Sequence, residues 1–269
     1  MKVGFSGVGN MASAIINGLI KQELSAITSL HAFSPSGPKA EKPMHQQLQW
    51  HDSNLAMAEQ VDVMVLGVKP KMIPPVLQEI RSASSLPLLV SLAAGVTTET
   101  MAQHLEPQTT PPAIIRTMPN TPSAVGAGMT GLYANEAVSE DQKNSTATLF
   151  ASIGDILWLS NEEKFHALTA MSGSGPAYFF QFTNAMILAG IEKGLSKEEA
   201  THLAVQTAKG AGLLMAETGA EPAQLQKEVT SPNGTTFAAT EVFREGEINT
   251  LVQTAITAAH DRSKELSQA

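Results

Sequence analysis

The stretch Gly4-Phe5-Ser6-Gly7-Val8-Gly9-Asn10-Met11-Ala12 decides how this chain folds. An apolar run from Lys2 to Phe5 precedes it and predicts a first strand. Residues 11–20 follow, with apolar side chains at helical spacing, and predict a first helix. A glycine-rich turn therefore joins a strand to a helix at the start of the chain, as it does where a dinucleotide-binding fold begins.

Each small residue of this turn has a physical role. Gly7 lets the chain turn sharply, Gly9 lets backbone approach a pyrophosphate, and Ala12 lets the helix pack on the strand. The helix N-terminus offers free N–H groups and a positive dipole end to the phosphates. The spacing alone also fits an ordinary turn. Its place between a strand and a helix favours a cofactor turn with Gly7, Val8, Gly9, Asn10 and Met11 as contacts.

Composition limits the classes of function. The chain has 269 residues, 43% of them hydrophobic and 16% charged, which predicts a globular protein of one or two domains. A net charge of −8 argues against nucleic acid or an anionic membrane as partner. Without cysteine there is no disulfide or thiolate chemistry, and no His/Asp/Glu cluster has metal-ligand spacing, so we expect no metal. No membrane span or signal peptide is evident, and we expect a cytoplasmic protein.

The end of the second predicted strand, residues 27–33, bears on the choice of cofactor. An NAD site usually has a carboxylate there to hold the ribose 2′-hydroxyl, whereas the nearest one here is Glu41. Ser34, Ser36 and Lys39 would suit a 2′-phosphate instead. The segment therefore favours NADPH as the cofactor, with NADH possible. We prefer this interpretation to that of a plain surface turn, which the same residues would also form.

Three further strands are followed by residues suited to a cofactor. Strands over 61–68, 86–92 and 113–116 are predicted from their apolar runs. Ligands bind at the carboxyl ends of parallel strands. The candidate cofactor neighbours at these ends are Val68, Lys69, Pro70, Ala94 and Asn120, although Lys69 by itself would also suit a solvated loop.

The secondary-structure pattern changes near residue 160. Strands and helices alternate before it, which predicts an α/β Rossmann domain over 1–160 with a doubly wound, mostly parallel sheet. The segments after it are long and helical, which predicts an all-α domain over 161–269 for dimerisation and substrate binding. Its helices have more apolar faces than a thin domain can bury, and a homodimer interface would cover them.

Two loops of small polar residues interrupt the helical half, at 171–176 and 229–236, and each precedes a predicted helix. Helix N-termini with nearby hydroxyls bind carboxylates, although helix capping would explain the same residues. We favour a functional role for the second loop. Glu162, at a predicted helix start, satisfies the helix dipole and could also bond an amine.

With these motifs in view, the chain resembles the pyrroline-5-carboxylate reductases over nearly its whole length. The resemblance rests on Gly7-Val8-Gly9-Asn10-Met11-Ala12, Val68-Lys69-Pro70, Ala93-Ala94-Gly95-Val96, Arg116-Thr117-Met118-Pro119-Asn120-Thr121-Pro122, Ser172-Gly173-Ser174-Gly175-Pro176-Ala177-Tyr178 and Ser231-Pro232-Asn233-Gly234-Thr235-Thr236. Asn233 replaces the Gly that is usual in the last motif.

The resemblance implies a Rossmann domain and a helical domain that interlocks with a second copy, in some members within rings of dimers. It adds Asn54 to the cofactor contacts Gly7–Met11, Ser34, Val68, Lys69 and Ala94. It places Glu162 and the loop containing Ser231, Gly234, Thr235 and Thr236 around a small-molecule substrate at the dimer interface.

The implied reaction is NADPH-dependent reduction of the cyclic imine 1-pyrroline-5-carboxylate to L-proline, the last step of proline synthesis. We expect backbone N–H groups around Gly234 and Thr235 to bind the carboxylate, and the catalytic Thr236 hydroxyl to bond the ring nitrogen. A related six-membered ring imine would fit the same chemistry.

Two other functions fit parts of the sequence. A 3-hydroxy-acid dehydrogenase shares the N-terminal half, but residues 177–184 lack the lysine that such enzymes carry there. An NADPH-binding sensor without turnover would have no need for the substrate-binding loop.

Overall fold

The computed structural model describes residues 1–23, 25–106 and 110–268. The chain divides into two compact units, Met1–Gly173 with the C-terminal segment from Asp261, and Ser174–His260. None of the helices in the described residues combines the length and the apolar character that crossing a bilayer requires.

The first unit contains an eight-stranded sheet in the order β3-β2-β1-β4-β5-β6-β7-β8. All neighbouring strands are parallel except β6 and β7, which are antiparallel. The sheet is therefore mostly parallel, as predicted. The strands are β1 Lys2–Ser6, β2 Ser29–Phe33, β3 Gln49–Trp50, β4 Val63–Leu66, β5 Leu88–Ser91, β6 Ile114–Met118, β7 Gly128–Ala134 and β8 Gly154–Trp158.

Helices cover both faces of this sheet. Alternate residues of a strand point to opposite faces, and β4 shows the result: Val63 and Val65 join one buried cluster, and Met64 and Leu66 join the other. The doubly wound architecture predicted from the sequence is thus confirmed. The helices of this unit are α1 Asn10–Gln22, α2 Asn54–Ala58, α3 Ile73–Ile80, α4 Thr98–Leu105, α5 Glu140–Ala151 and α6 Phe165–Leu168.

The second unit is helical, and no strand lies between residues 162 and 268. Its helices are α7 Gly175–Glu192, α8 Lys197–Thr218, α9 Pro222–Glu228, α10 Thr235–Glu245 and most of α11, Ile248–Gln268. Gly190 lets α7 approach α8, since an added Cβ would stand 3.3 Å from the Cβ of Ala200. Large apolar side chains remain exposed on the single chain, including Phe179 at 68% and Phe180 at 67%. Such a surface is typical of an interface that a second polypeptide covers.

One prediction about local structure was wrong. The predicted loop at 171–176 is largely helical, because a π-helix, Thr169–Gly173, continues α6, and α7 begins at Gly175. The small residues do not break the helix here. A π-helix is held by backbone hydrogen bonds between residues five positions apart. Pro176 lies in the first turn of α7, where a missing backbone N–H costs nothing.

Candidate cofactor and substrate sites

One cavity of about 660 Å³ lies within the first unit, where strands β1, β2 and β4 end. It brings together nine of the predicted cofactor residues, which are Gly7, Val8, Gly9, Ser34, Ser36, Lys39, Asn54, Val68 and Lys69. These residues are distant in sequence and meet because the parallel strands end at the same edge of the sheet.

The glycine turn forms the floor of this cavity. Gly7 has a φ of +84°, and an added Cβ would lie 2.9 Å from Val68 Cγ1, so both conformation and space require glycine. Gly9 is the N-cap of α1 and provides no side-chain cap, unlike Ser139, which caps α5. The first N–H groups of α1, around Asn10 and Met11, are therefore available to an anion such as a pyrophosphate.

Asn54 lies in the wall of the cavity in a fixed orientation. Its Oδ1 accepts the Ser6 hydroxyl at 2.6 Å, and its Nδ2 donates to Glu79 Oε2 at 2.7 Å. Glu79 Oε1 also accepts the backbone N–H groups of Asn54 at 2.7 Å and Leu55 at 3.3 Å. Three N–H donors thus offset the charge of the Glu79 carboxylate, so it need not repel the phosphates of a dinucleotide.

Several lining residues were absent from the sequence prediction. Four of them, Met72, Pro75, Val76 and Glu79, follow β4 at the spacing of one helix face, and that spacing was the signal that could have found them. His45, in a short 3-10 helix over Pro43–Gln47, also lines the cavity, and a single histidine has no such periodic signal.

Five predicted cofactor residues lie outside the cavity lining: Asn10, Met11, Pro70, Ala94 and Asn120. Ala94 and Pro70 are exposed. Asn120 is already engaged, because its Nδ2 donates to the Ser172 carbonyl at 3.1 Å and its Oδ1 accepts the Met129 N–H at 2.9 Å. The Asn120 amide therefore ties the π-helix to β7, and its contact with a cofactor remains a prediction.

Glu162 also has partners within the first unit. Its Oε1 accepts the Thr98 N–H at 3.0 Å and Arg116 Nη1 at 3.1 Å, and its Oε2 accepts the Thr98 hydroxyl at 2.9 Å. The Arg116 guanidinium in turn stacks 4.3 Å from the centre of the Phe165 ring. Glu162 thus links the start of α4 to β6, and its predicted contact with substrate remains a prediction.

The loop containing Ser231, Gly234, Thr235 and Thr236 belongs to the second unit and leads into α10. Gly234 is the N-cap of this helix and supplies no side-chain cap. In the part of the chain that the structure describes, the Thr236 hydroxyl has no hydrogen-bond partner. A carboxylate would therefore find free N–H groups and a hydroxyl at this helix N-terminus.

The conformation of this loop explains its one departure from the family motif. Asn233 has a φ of +57°, in the left-handed region that favours glycine. Asparagine tolerates that region better than other residues with a Cβ. The turn is closed by a hydrogen bond of 3.0 Å from the Gly234 N–H to the Ser231 carbonyl, so Asn233 preserves the loop shape that glycine would give.

The described residues contain no group of three or more His, Asp or Glu side chains that could hold a metal ion. What they provide is a cavity with an uncapped helix N-terminus and the cationic residues Lys39 and Lys69. These features fit a phosphate-bearing dinucleotide.

Two family models match the chain. "NADP oxidoreductase coenzyme F420-dependent" matches residues 2–95, and "Pyrroline-5-carboxylate reductase dimerisation" matches residues 162–266. The second match agrees with the exposed apolar side chains of the helical unit and shows that the protein self-associates.

Comparisons over the full length of the chain indicate the same family as the second model. The pyrroline-5-carboxylate reductase of Pseudomonas aeruginosa is 39% identical, over 99% of this chain and 97% of that protein. Among solved structures, the reductase from Coxiella burnetii has a TM-score of 0.91 at 37% identity, covering 99% and 98% of the two chains. The Plasmodium falciparum reductase with NADP bound has a TM-score of 0.84 at 30% identity, with the same coverage. This chain, with its glycine-turn cavity and its helical dimerisation region, belongs to the pyrroline-5-carboxylate reductase family.

Proposed function

We propose that this protein reduces 1-pyrroline-5-carboxylate to L-proline with NADPH, the last step of proline synthesis. The observation that carries the proposal is the similarity to curated reductases over 99% of the chain. The geometry of the cavity and of the loop before α10 supports it, because each matches one of the two molecules that must bind.

The cavity of the first unit suits NADPH. Bound there, NADPH supplies the hydride that reduces the imine carbon. The N–H groups at the start of α1 would hold the pyrophosphate, and Ser34, Ser36 and Lys39 would hold the 2′-phosphate. Val68 and Ala94 would lie beside the nicotinamide.

The loop of the second unit suits the substrate. The N–H groups at the start of α10, around Gly234 and Thr235, would bind the carboxylate, and the Thr236 hydroxyl would bond the ring nitrogen. A cyclic imine can arrive already protonated, so a dedicated acid such as His or Lys is not required. Most of the rate enhancement would then come from positioning the imine carbon.

Assembly and location complete the proposal. We infer a homodimer in which residues 161–269 form the interface and hold the substrate, while residues 1–160 bind the cofactor. Rings of dimers and a cytoplasmic location are further parts of this proposal. Light scattering on a size-exclusion column tests the assembly, and a mass of one protomer would contradict it.

The reaction is tested by NADPH oxidation at 340 nm with 1-pyrroline-5-carboxylate, repeated with NADH. Turnover that is faster with NADPH supports both the reaction and the preference for NADPH. Faster turnover with NADH would keep the reaction but remove the role of Ser34, Ser36 and Lys39. Binding of NADPH without turnover would favour a sensor.

The role of Thr236 is tested by Thr236→Ala, with Thr235→Ala as the matched control. Loss of one hydrogen bond in the transition state predicts a fall in kcat/KM of about ten- to a hundredfold for Thr236→Ala. Thr235 acts through its backbone N–H, so Thr235→Ala should stay within about threefold of the wild type. Equal effects of the two variants would remove Thr236 from the chemistry.

A further inference from the structure

The wall of the cofactor cavity after β2 is a short turn, and the segment just beyond it is bonded to a residue further along the chain. The Gly37 N–H donates to the Ser34 carbonyl at 2.8 Å, and the hydroxyls of Ser34 and Ser36 lie 3.2 Å apart. Beyond this turn, the Lys39 backbone N–H donates to His45 Nδ1 at 2.9 Å. His45 Nδ1 therefore holds the end of segment 34–39, which carries the predicted 2′-phosphate ligands.

His45 is itself firmly held. The residue is 5% exposed, and its ring centre lies 5.1 Å from that of Trp50. Trp50 Nε1 also donates to the His45 carbonyl at 3.0 Å. The imidazole is thus fixed from both its ring and its backbone, so it can impose a position on Lys39.

The hydrogen bond also determines the state of the imidazole. Because Nδ1 accepts the Lys39 N–H, a neutral His45 carries its proton on Nε2, and that atom is buried without a partner among the described residues. Burial holds the pKa of His45 below its ordinary value, and the charges of Lys42 and Lys39 lower it further against the opposing charge of Glu41. A neutral imidazole with a fixed tautomer is therefore the form present near pH 7.

We infer that His45 is a positioning residue for cofactor choice: through Nδ1 it holds the Lys39 backbone, so that Ser34, Ser36 and Lys39 line one wall of the cavity together. The inference rests on the proposed use of NADPH. A 2′-phosphate needs several donors in fixed places, whereas the 2′-hydroxyl of NADH makes no such demand. Loosening the turn should therefore weaken NADPH binding and spare NADH binding.

The test uses the full-length protein and two amide variants of similar polarity. In His45→Asn the amide oxygen can take the place of Nδ1 and keep the bond to Lys39, whereas in His45→Gln the longer side chain carries it towards the place of Nε2. Calorimetric titration with 2′,5′-ADP and with 5′-AMP, which differ only in the 2′-phosphate, then measures the contribution of that phosphate directly. His45→Leu, which has no acceptor, is a third variant, and melting temperatures confirm that each protein is folded.

We expect the Gln and Leu variants to bind 2′,5′-ADP about tenfold more weakly than the wild type does, and to bind 5′-AMP within about twofold of the wild type. The Asn variant should keep most of the affinity. In turnover, KM for NADPH should rise in the Gln and Leu variants, while kcat and the KM for NADH remain unchanged.

Two results would overturn the inference about His45 and leave the proposed NADPH preference intact. One is equal weakening of both nucleotides, which a purely structural role predicts. The other is unchanged 2′,5′-ADP binding in a folded Gln or Leu variant. A wild-type protein that binds 2′,5′-ADP no better than 5′-AMP would instead overturn the proposed NADPH preference, and the inference with it.

Discussion

The link between Glu162, Thr98 and Arg116 allows a quantitative prediction. Replacing Glu162 by Ala removes the acceptor for the Thr98 N–H, the Thr98 hydroxyl and the Arg116 guanidinium. Thr98 is 5% exposed, and the Arg116 side chain is 8% exposed, so neither regains full hydration. The variant therefore leaves buried donors and a buried cation without their partner.

The magnitude follows from this burial. Removing one partner of a buried ion pair costs about 3–5 kcal/mol. The Glu162 side chain is 18% exposed, and water can partly replace it, so we expect the lower part of that range, about 3–4 kcal/mol. Glu162→Gln keeps an oxygen for the Thr98 N–H and Arg116 and can donate to the Thr98 hydroxyl. It loses only the charge and should cost about 1–2 kcal/mol.

Urea unfolding followed by circular dichroism measures these differences at a fixed protomer concentration, because self-association contributes to apparent stability. The exposed neighbour Glu163 provides the control, and Glu163→Ala should change the free energy of unfolding by no more than about 0.5 kcal/mol. A cost below about 1 kcal/mol for Glu162→Ala would refute the assigned structural role. A Gln variant with normal stability but a raised KM for the imine would instead support the predicted substrate contact.

Two further predictions concern the cofactor turn and the histidines. Gly67→Ala should weaken NADPH binding at least about tenfold, because the added Cβ would stand 2.7 Å from the Gly7 carbonyl oxygen. A fluorescence titration measures the affinity, and an unchanged value would mean that the turn does not need this close approach. Burial is the first cause that lowers the pKa values of His31, His45 and His51 in the folded protein. The unfolded chain therefore binds more protons below about pH 6.5, and the free energy of unfolding should fall as the pH drops from 6.5 in equilibrium denaturation; a flat profile would contradict these shifts.

The helices with strong local signals could be predicted from the sequence to the residue. α8, Lys197–Thr218, has such signals at both ends, because Ser196 and Glu199 form a capping box at its start and Gly219 adopts the left-handed conformation at its end. The glycine turn was equally clear, since its strand, turn and helix are contiguous in the chain. The 171–176 segment was mispredicted because glycine and serine usually break a helix, and only the surrounding fold keeps a π turn there.

The sequence by itself determined the order of strands and helices, the cofactor turn and the loop before α10, because each depends on residues that are neighbours in the chain. Only the tertiary structure decided how the polar side chains are partnered. Glu162 reaches Thr98 across 64 positions, and Asn54 reaches Glu79 across 25. Such pairs carry no local pattern, because parallel strands bring together segments that long connections separate in sequence. The hold of His45 on Lys39 spans only six positions, yet it too was decided by the tertiary structure, because a hydrogen bond from a backbone N–H to a ring nitrogen has no sequence pattern.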